Sequence, residues 1–192
     1  MNEKCSINLF MGSILISTRK YNYDEFKPFF HGPVKVTLTK DSERNINRSH
    51  KHLVSNLKSG RAIYGVNTGF GNLSNISICE RDLEKLQLNL VRSHASGIGA
   101  PLSLGIVRVI MFLKLLTFSK GYSGVSINLV KTMVRLLNLD IIPIIPKKGS
   151  VGASGDLAPL GHMALVLIGE GEVFFKGKKI KTKTAFKKTR IA

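Results

Sequence analysis

The chain has 192 residues, of which 43% are hydrophobic and 21% charged, a balance typical of globular rather than disordered proteins. Its net charge of +17 raises the question of a nucleic-acid partner, because clustered Lys and Arg neutralise phosphates. Eight basic residues and no acidic one fall within 176–192, but no ladder of aromatic residues accompanies them for stacking on bases. We therefore expect a solvated basic segment and no nucleic-acid partner, and keep a basic binding module as an alternative.

Two cysteines, Cys5 and Cys79, are too few for a disulfide framework, and neither lies in a Cys-x-x-Cys pair. This usage indicates a reducing compartment and no metal site. The longest apolar stretch, near 104–118, is interrupted by Arg108 and Lys114, which argues against a transmembrane span. We predict a cytoplasmic protein without membrane association.

The first half of the chain predicts short elements of both kinds. An extended piece over 8–17 precedes a helix-like stretch, Lys20–Phe30, which stops at His31-Gly32-Pro33. Alternating apolar and polar residues in Pro33–Thr39 predict a strand, and Ile46–Leu57 predicts a helix.

A glycine-rich loop follows over 62–72, where three glycines in seven positions indicate sharp bends or close backbone approach. The sequence Ser77-Ile78-Cys79-Glu80 has the form of a capping box and predicts the start of a helix. An apolar stripe continues that helix to about Ser93-His94, and its members are Leu83, Leu86, Leu90 and Val91.

The second half of the chain is richer in helix. Pro101 suits the first turn of a mostly buried helix through 106–118, and another helix is expected over 126–139. Pro143 and Pro146 then force extended chain.

A fourth apolar helix over 157–168 and a hairpin over 172–179, turning at Lys176-Gly177, complete the pattern. The fold class expected is mainly α with a small α+β N-terminal part.

The segment 149–163, GSVGASGDLAPLGHM, carries the strongest chemical signal. Its glycines at 149, 152 and 155 could cradle a phosphate at a helix N-terminus, but the G-x-G of a dinucleotide fingerprint is missing. It also fails as a nucleophile elbow, because Asp156 stands where glycine is needed.

A third chemistry is open to the same residues. The unhindered amide nitrogen of Gly155 can attack the carbonyl carbon of Ala153, which closes a five-membered ring and releases water. Loss of a second water from the Ser154 side chain leaves an exocyclic methylene, so the product is the electrophile methylidene-imidazolone. Ala-Ser-Gly also occurs by chance in many loops, so the tripeptide alone does not select this chemistry.

Three long segments together resemble the aromatic amino-acid lyase family. Residues 149–163 resemble its signature, and the match continues through 165–178. Upstream, 63–73 (IYGVNTGFGNL) resembles the family's mobile inner loop, and 86–102 resembles its substrate-side helix end. The resemblance covers most of residues 60–180.

The resemblance implies site residues and a cofactor. Ala153, Ser154 and Gly155 would form 4-methylidene-imidazol-5-one, with no metal and no dissociable cofactor. Asp156 and Gly152 would support the electrophile loop. Tyr64 matches the tyrosine to which the family assigns proton transfer at the substrate β-carbon.

Ser93-His94 occupies the position that selects the substrate in this family. Histidine ammonia-lyases have Ser-His there, whereas members acting on phenylalanine or tyrosine usually have an aromatic residue or His followed by Leu. A polar pair suits an imidazole, which needs hydrogen-bond partners. The resemblance thus implies conversion of L-histidine to trans-urocanate and ammonia, with a tyrosine or phenylalanine ammonia-lyase relative as the runner-up.

Two neighbouring positions carry smaller expectations. His162 is expected to pack behind the electrophile loop. Gly161 stands where the family more often has Ala, a departure expected to affect helix stability more than chemistry.

The family fold implies an N-terminal mixed domain, here 1–121, followed over 122–192 by the start of a central helical domain. It also implies a homotetramer whose active sites are shared between subunits. Family members are more than twice as long as this chain, and their later part contributes further substrate-binding residues. The chain is therefore expected either to be part of an active lyase or to be a truncated, inactive fragment.

Overall fold

The computed structural model describes residues 10–152 and 155–191. Its helices are α1 (Lys27–His31), α2 (Lys40–Lys58), α3 (Glu80–His94), α4 (Leu104–Ser119), α5 (Ile127–Asn138), α6 (Ala158–Leu167) and α7 (Thr182–Thr189). Its strands are β1 (Ser13–Ile16), β2 (Lys35–Leu38), β3 (Ile98–Pro101), β4 (Ile142–Pro143), β5 (Pro146–Lys148), β6 (Val151–Gly152), β7 (Gly155–Asp156), β8 (Glu172–Phe175) and β9 (Lys178–Lys181).

The strands form four small sheets between the helices. β1 and β2 pair in parallel, and β3 pairs with β5 in the antiparallel sense. β4, β8 and β9 form a three-stranded antiparallel sheet, and β6 pairs with β7. The expected mainly helical fold with small sheets is confirmed, as is the hairpin turning at Lys176-Gly177, whose partners are Phe175 and Lys178.

Helix α4 lies at the centre of the hydrophobic core, as its almost wholly apolar sequence predicts. Phe112 is fully buried and stacks on Phe29 with ring centroids 4.7 Å apart. Tyr21 and Phe26 meet the same ring edge-on at 5.8 and 5.6 Å. Such aromatic contacts add to the stabilisation from burial itself. The core continues through the buried residues of α5, among them Met133, so it spans the predicted division after residue 121, which stays a prediction.

One charged residue is buried in α4. Arg108 is only 6% exposed, and its guanidinium donates to both carboxylate oxygens of Asp140 at 2.8 and 3.0 Å. A further, longer bond of 3.4 Å reaches the carbonyl of Phe29. The bidentate pair offsets the cost of burying the charge, which explains why the helix tolerates Arg at this position.

The N-terminal helix predicted over Lys20–Phe30 is wrong in its bounds. A 3₁₀ turn covers Tyr23–Phe26, and α1 begins only at Lys27, with Pro28 in its first turn. Proline suits that position because it has no amide hydrogen to donate. Helix α2 begins at Lys40 rather than Ile46, because the hydroxyl of Thr39 caps it by accepting from the Ser42 amide at 3.3 Å.

Two predicted helix starts are also wrong. Pro101 lies in β3, and α4 begins at Leu104 instead. The capping box at Ser77 does not form, because α3 begins at Glu80 with Cys79 at its N-cap. The Cys79 thiol donates to the Asp82 carboxylate at 2.8 Å.

The basic C-terminal run is folded rather than merely solvated. Its residues build β9 and α7, and Thr182, Ala185 and Ile191 are buried. The many lysines made the segment look fully exposed, but a helix needs only a narrow apolar stripe to pack against the core. Within residues 10–152 and 155–191, no helix is both long and apolar enough to cross a membrane.

Candidate active site

The predicted electrophile loop is anchored by two paired glycines. Gly152 and Gly155 are opposite partners in the antiparallel β6–β7 pair. Gly155 has φ +89°, in the region where a residue without a side chain is favoured. Ala153 and Ser154, the other two predicted members of the electrophile, lie outside the described residues.

Asp156 ties this loop to the segments on both sides of it. Its Oδ1 accepts the Ala158 amide at 3.1 Å, at the start of α6. Its carboxylate also lies against Gly149, where a β-carbon would be 2.6 Å from Oδ2. Asp156 therefore leaves no room for a side chain at Gly149, and its contacts are those expected of a residue that supports the loop.

Ser93 and His94 form the last turn of α3. The Nδ1 of His94 lies 2.7 Å from the carbonyl oxygen of Leu90, so Nδ1 carries the hydrogen and donates it. In the neutral ring Nε2 is then the hydrogen-bond acceptor. The hydroxyl of Ser93 donates to the same carbonyl at 2.9 Å, which leaves its oxygen lone pairs for a ligand.

A cavity of about 260 Å³ brings the predicted selector and the electrophile loop together. Its lining residues are Ser93, His94, Ser96, Ser150, Gly152, Gly155, Leu157 and Ala158. Ser96 and Ser150 were not singled out from the sequence, and their place next to two motif segments is the signal that could have found them.

Backbone contact between α6 and the end of α3 fixes this cavity. A β-carbon at Gly161 would lie 2.8–2.9 Å from backbone atoms of His94 and Ala95, so only glycine allows this approach. The amide of Gly97 donates to Nε2 of His162 at 3.0 Å. Burial lowers the pKa of His162 below its usual range, which favours the neutral ring that this bond requires.

An ion pair between Arg92 and Glu170 joins the same two regions on the surface, with N–O distances of 2.5 and 3.1 Å. The hydrogen bonds from Arg92 hold the pKa of Glu170 below its usual range. Sequence reasoning missed this pair, because its members are 78 positions apart.

The inner loop is built around two buried polar residues, Asn67 and Thr68. Asn67 accepts from the Ile63 amide at 2.7 Å and donates to the Arg61 carbonyl at 2.9 Å. Thr68 accepts from the Gly65 amide at 3.2 Å. The loop thus has an internal scaffold that its glycine content did not reveal.

Tyr64 lies on the outside of this loop and is 65% exposed. Its ring meets Phe70 edge-on at 5.7 Å, and its hydroxyl accepts a long bond of 3.4 Å from the Gly71 amide. It lines a separate cavity of about 590 Å³ shared with His52 and Tyr122. The structure therefore does not bring Tyr64 into the cavity of Ser93 and His94, and its catalytic role stays a prediction.

In the part of the chain that the structure describes, no three His, Cys, Asp or Glu side chains lie close enough together to hold a metal ion.

Comparison with known proteins identifies the family of this chain. The family model described as "Aromatic amino acid lyase" matches residues 22–192. The chain belongs to this family. Among its relatives, the histidine ammonia-lyase of Shouchella clausii (strain KSM-K16) is 42% identical over 178 residues, which are 93% of this chain and 36% of that protein.

Solved structures of aromatic amino acid lyase relatives share the fold. The phenylalanine aminomutase of Pantoea agglomerans superposes with a TM-score of 0.85 at 31% identity, covering 94% of this chain and 34% of its own. The histidine ammonia-lyase of Trypanosoma cruzi gives 0.83 at 26% identity, covering 94% and 34%. The chain thus spans about a third of the length of the relatives it matches.

Proposed function

We propose that this lyase chain forms the N-terminal part of the active site of a histidine ammonia-lyase, which converts L-histidine to trans-urocanate and ammonia. The observation that carries the proposal is the cavity in which Ser93 and His94 lie next to Gly152 and Gly155. A relative named histidine ammonia-lyase matches 93% of the chain, which adds support.

The residues flanking Ala153 and Ser154 fit a methylidene-imidazolone made from 153–155. Gly155 combines a left-handed φ with the absence of a side chain next to its amide nitrogen. A β-carbon at Gly152 or Gly155 would meet none of the described atoms beyond its chain neighbours within 4 Å. The group supplies an electrophilic carbon, which none of the twenty side chains offers.

His94 and Ser93 recognise the substrate ring in this proposal. Because Nδ1 of His94 donates to the Leu90 carbonyl, Nε2 accepts a hydrogen bond from the substrate imidazole. The Ser93 oxygen offers a second acceptor beside it. An apolar pocket could not satisfy these polar atoms, so the pair favours an imidazole over a phenyl ring.

Tyr64 removes the β-proton in the proposed reaction, for which it has to approach the cavity. The loop that carries it bends at Gly65 and Gly71, both with positive φ. We further propose a cytoplasmic homotetramer whose active sites are shared between subunits.

The decisive experiment is the intact mass of the purified 192-residue chain, together with that of its Ser154→Ala variant. A deficit of two water molecules, mapped to the 149–163 peptide and absent from the variant, supports the electrophile. An unchanged mass means that this chain alone does not form it. The same comparison on the longest natural polypeptide containing the chain then decides whether the electrophile is ever made.

The substrate is tested on that polypeptide with L-histidine, L-phenylalanine and L-tyrosine. Urocanate as the main product supports the proposal. Cinnamate or coumarate indicates the runner-up, which the fold shared with a phenylalanine aminomutase keeps open. No product despite a two-water deficit indicates an inactive relative.

A further inference from the structure

His162 has no assigned part in the proposed chemistry, yet it is hydrogen-bonded to Gly97, the residue after the cavity-lining Ser96. It lies in α6, two turns of chain after the electrophile loop, and is half-buried. Its Nε2 accepts the amide hydrogen of Gly97, the residue that follows the Ser93–Ser96 segment. The two residues are 65 positions apart, so this bond joins distant parts of the sequence.

The Gly97 contact closes a ring of segments around the cavity. After Gly97 the chain enters β3, which pairs with β5 through Ile98 and Lys148. β5 leads through Gly149 to the electrophile loop, and the loop leads directly into α6. His162 on α6 then returns to Gly97, so its side-chain hydrogen bond joins the two sides of the cavity, beside the backbone contact at Gly161 and the Arg92–Glu170 ion pair.

We propose that His162 is a positioning residue, which through the Gly97 amide holds the Ser93–Ser96 wall in place against the electrophile loop. The inference rests on the proposed function, but the Gly97–His162 hydrogen bond itself can be measured without substrate. It requires the Nδ1–H tautomer, in which Nε2 keeps its lone pair. The lowered pKa of His162 is consistent with that state.

The residues around the Gly97–His162 bond are closely packed. Gly161, the residue before His162, is in backbone contact with His94 and Ala95. A β-carbon at Gly97 would itself lie 3.1 Å from Nε2 of His162 and 3.3 Å from the Lys148 carbonyl oxygen. Movement of His162 therefore acts on Gly97 directly, and on His94 three residues earlier.

The test uses isotope-labelled wild-type chain, His162→Leu, His162→Gln and, as control, His52→Leu, whose imidazole Nε2 pairs with the Asn56 side chain within α2. Hydrogen exchange of the Gly97 amide and the ring signals of His94 are measured by NMR. We expect roughly tenfold faster exchange at Gly97 and shifted His94 signals in His162→Leu. We expect His162→Gln, whose amide oxygen can accept the same hydrogen, to restore both, and His52→Leu to change neither.

Three results would overturn the inference. They are an Nε2–H tautomer of His162 in the wild-type chain, unchanged Gly97 exchange in His162→Leu, or faster exchange with His94 signals unaltered. The tautomer decides the matter even if His162→Leu does not fold. In the longest natural polypeptide, added L-histidine that leaves the wild-type His94 signals unmoved counts against the proposed function alone, since the Gly97–His162 bond is measured without ligand.

Discussion

A β-carbon on Gly161 would lie 2.8 Å from the carbonyl carbon of His94. Carbon atoms in contact are normally about 3.5–4.0 Å apart, so any side chain at 161 forces α6 away from the end of α3. The expectation from sequence, that glycine here affects helix stability more than chemistry, did not include this contact. Gly161 sets how closely the predicted selector approaches the helix that follows the electrophile loop.

We expect Gly161→Ala to lower the free energy of unfolding by about 1–3 kcal/mol, although alanine is the better helix former. The clash with His94 and Ala95 outweighs the gain in helix propensity. Urea unfolding followed by circular dichroism measures the change. Gly152→Ala, whose β-carbon meets nothing within 4 Å, is the control and should change stability little. A Gly161→Ala chain as stable as wild type would contradict the close contact.

The aromatic cluster around α4 gives a second stability prediction. Phe112→Ala removes the ring on which Phe29 stacks and should cost about 3–5 kcal/mol. The adjacent residue Leu113 is 47% exposed, so Leu113→Ala should cost less than about 1 kcal/mol. The two variants differ by one position and are compared in the same denaturant titration. Equal losses would show that α4 is rotated relative to the structure.

The ion pair between buried Arg108 of α4 and partly buried Asp140 predicts a larger loss of stability than an exposed ion pair does. Arg108→Ala leaves the Asp140 carboxylate without its bidentate partner and should cost about 2–4 kcal/mol. The exposed pair of Arg44 and Asp41 is the control, and Arg44→Ala should cost less than about 1 kcal/mol. A thermal unfolding series at constant pH measures both. If both variants lose less than about 1 kcal/mol of stability, the Arg108 charge is screened by water rather than buried.

The pKa of His162 predicts how stability depends on pH. Burial lowers that pKa below its ordinary value of 6.5, so the unfolded chain binds a proton at a pH where the folded chain does not. The free energy of unfolding should therefore fall as the pH drops below about 6.5, until the folded pKa is reached.

The pH range in which His162 affects stability lies above that of Glu25, because hydrogen bonds from Arg19 and the Asn22 amide lower the Glu25 pKa to about 2. Unfolding free energies between pH 5 and 7 for wild type and His162→Gln test the prediction. The difference between the two curves isolates His162, and parallel curves would refute its contribution.

His94 predicts the specificity of the proposed reaction. In the longest natural polypeptide, His94→Leu should raise KM for L-histidine roughly tenfold to a hundredfold, because a substrate N–H is left without its acceptor. An effect mainly on KM indicates lost binding rather than lost chemistry. His94→Gln keeps an acceptor and should lose less. A fall in kcat with KM unchanged would instead place His94 among the reacting groups.

Patterns local in sequence predicted much of this molecule. Three elements were predicted from such patterns. They are helix α4 from its apolar run, the extended chain of β4 and β5 from its prolines, and the hairpin from the turn at Lys176-Gly177. The selector and the electrophile loop were named from motifs, and the structure brings Ser93 and His94 to the same cavity as Gly155.

The missed features depend on approach between distant segments. The hydrogen bond from Gly97 to His162 and the Arg92–Glu170 pair follow from the packing of α6 on α3, which no local pattern encodes. Helix boundaries shifted for a different reason, since single side chains such as Thr39 supplied caps where the apolar period had not yet begun.

The pairing of Gly152 with Gly155 has a consequence for reactivity. Opposite residues of an antiparallel ladder have Cα atoms about 4.5–5.5 Å apart, so the two ends of the intervening dipeptide are held together before any reaction begins. The proposed bond itself joins the Gly155 nitrogen to the Ala153 carbonyl carbon, so the pairing helps by restricting the chain on either side of these atoms, and that entropy is lost in folding rather than in the closure. Unfolding of this chain before the closure should therefore slow the proposed reaction.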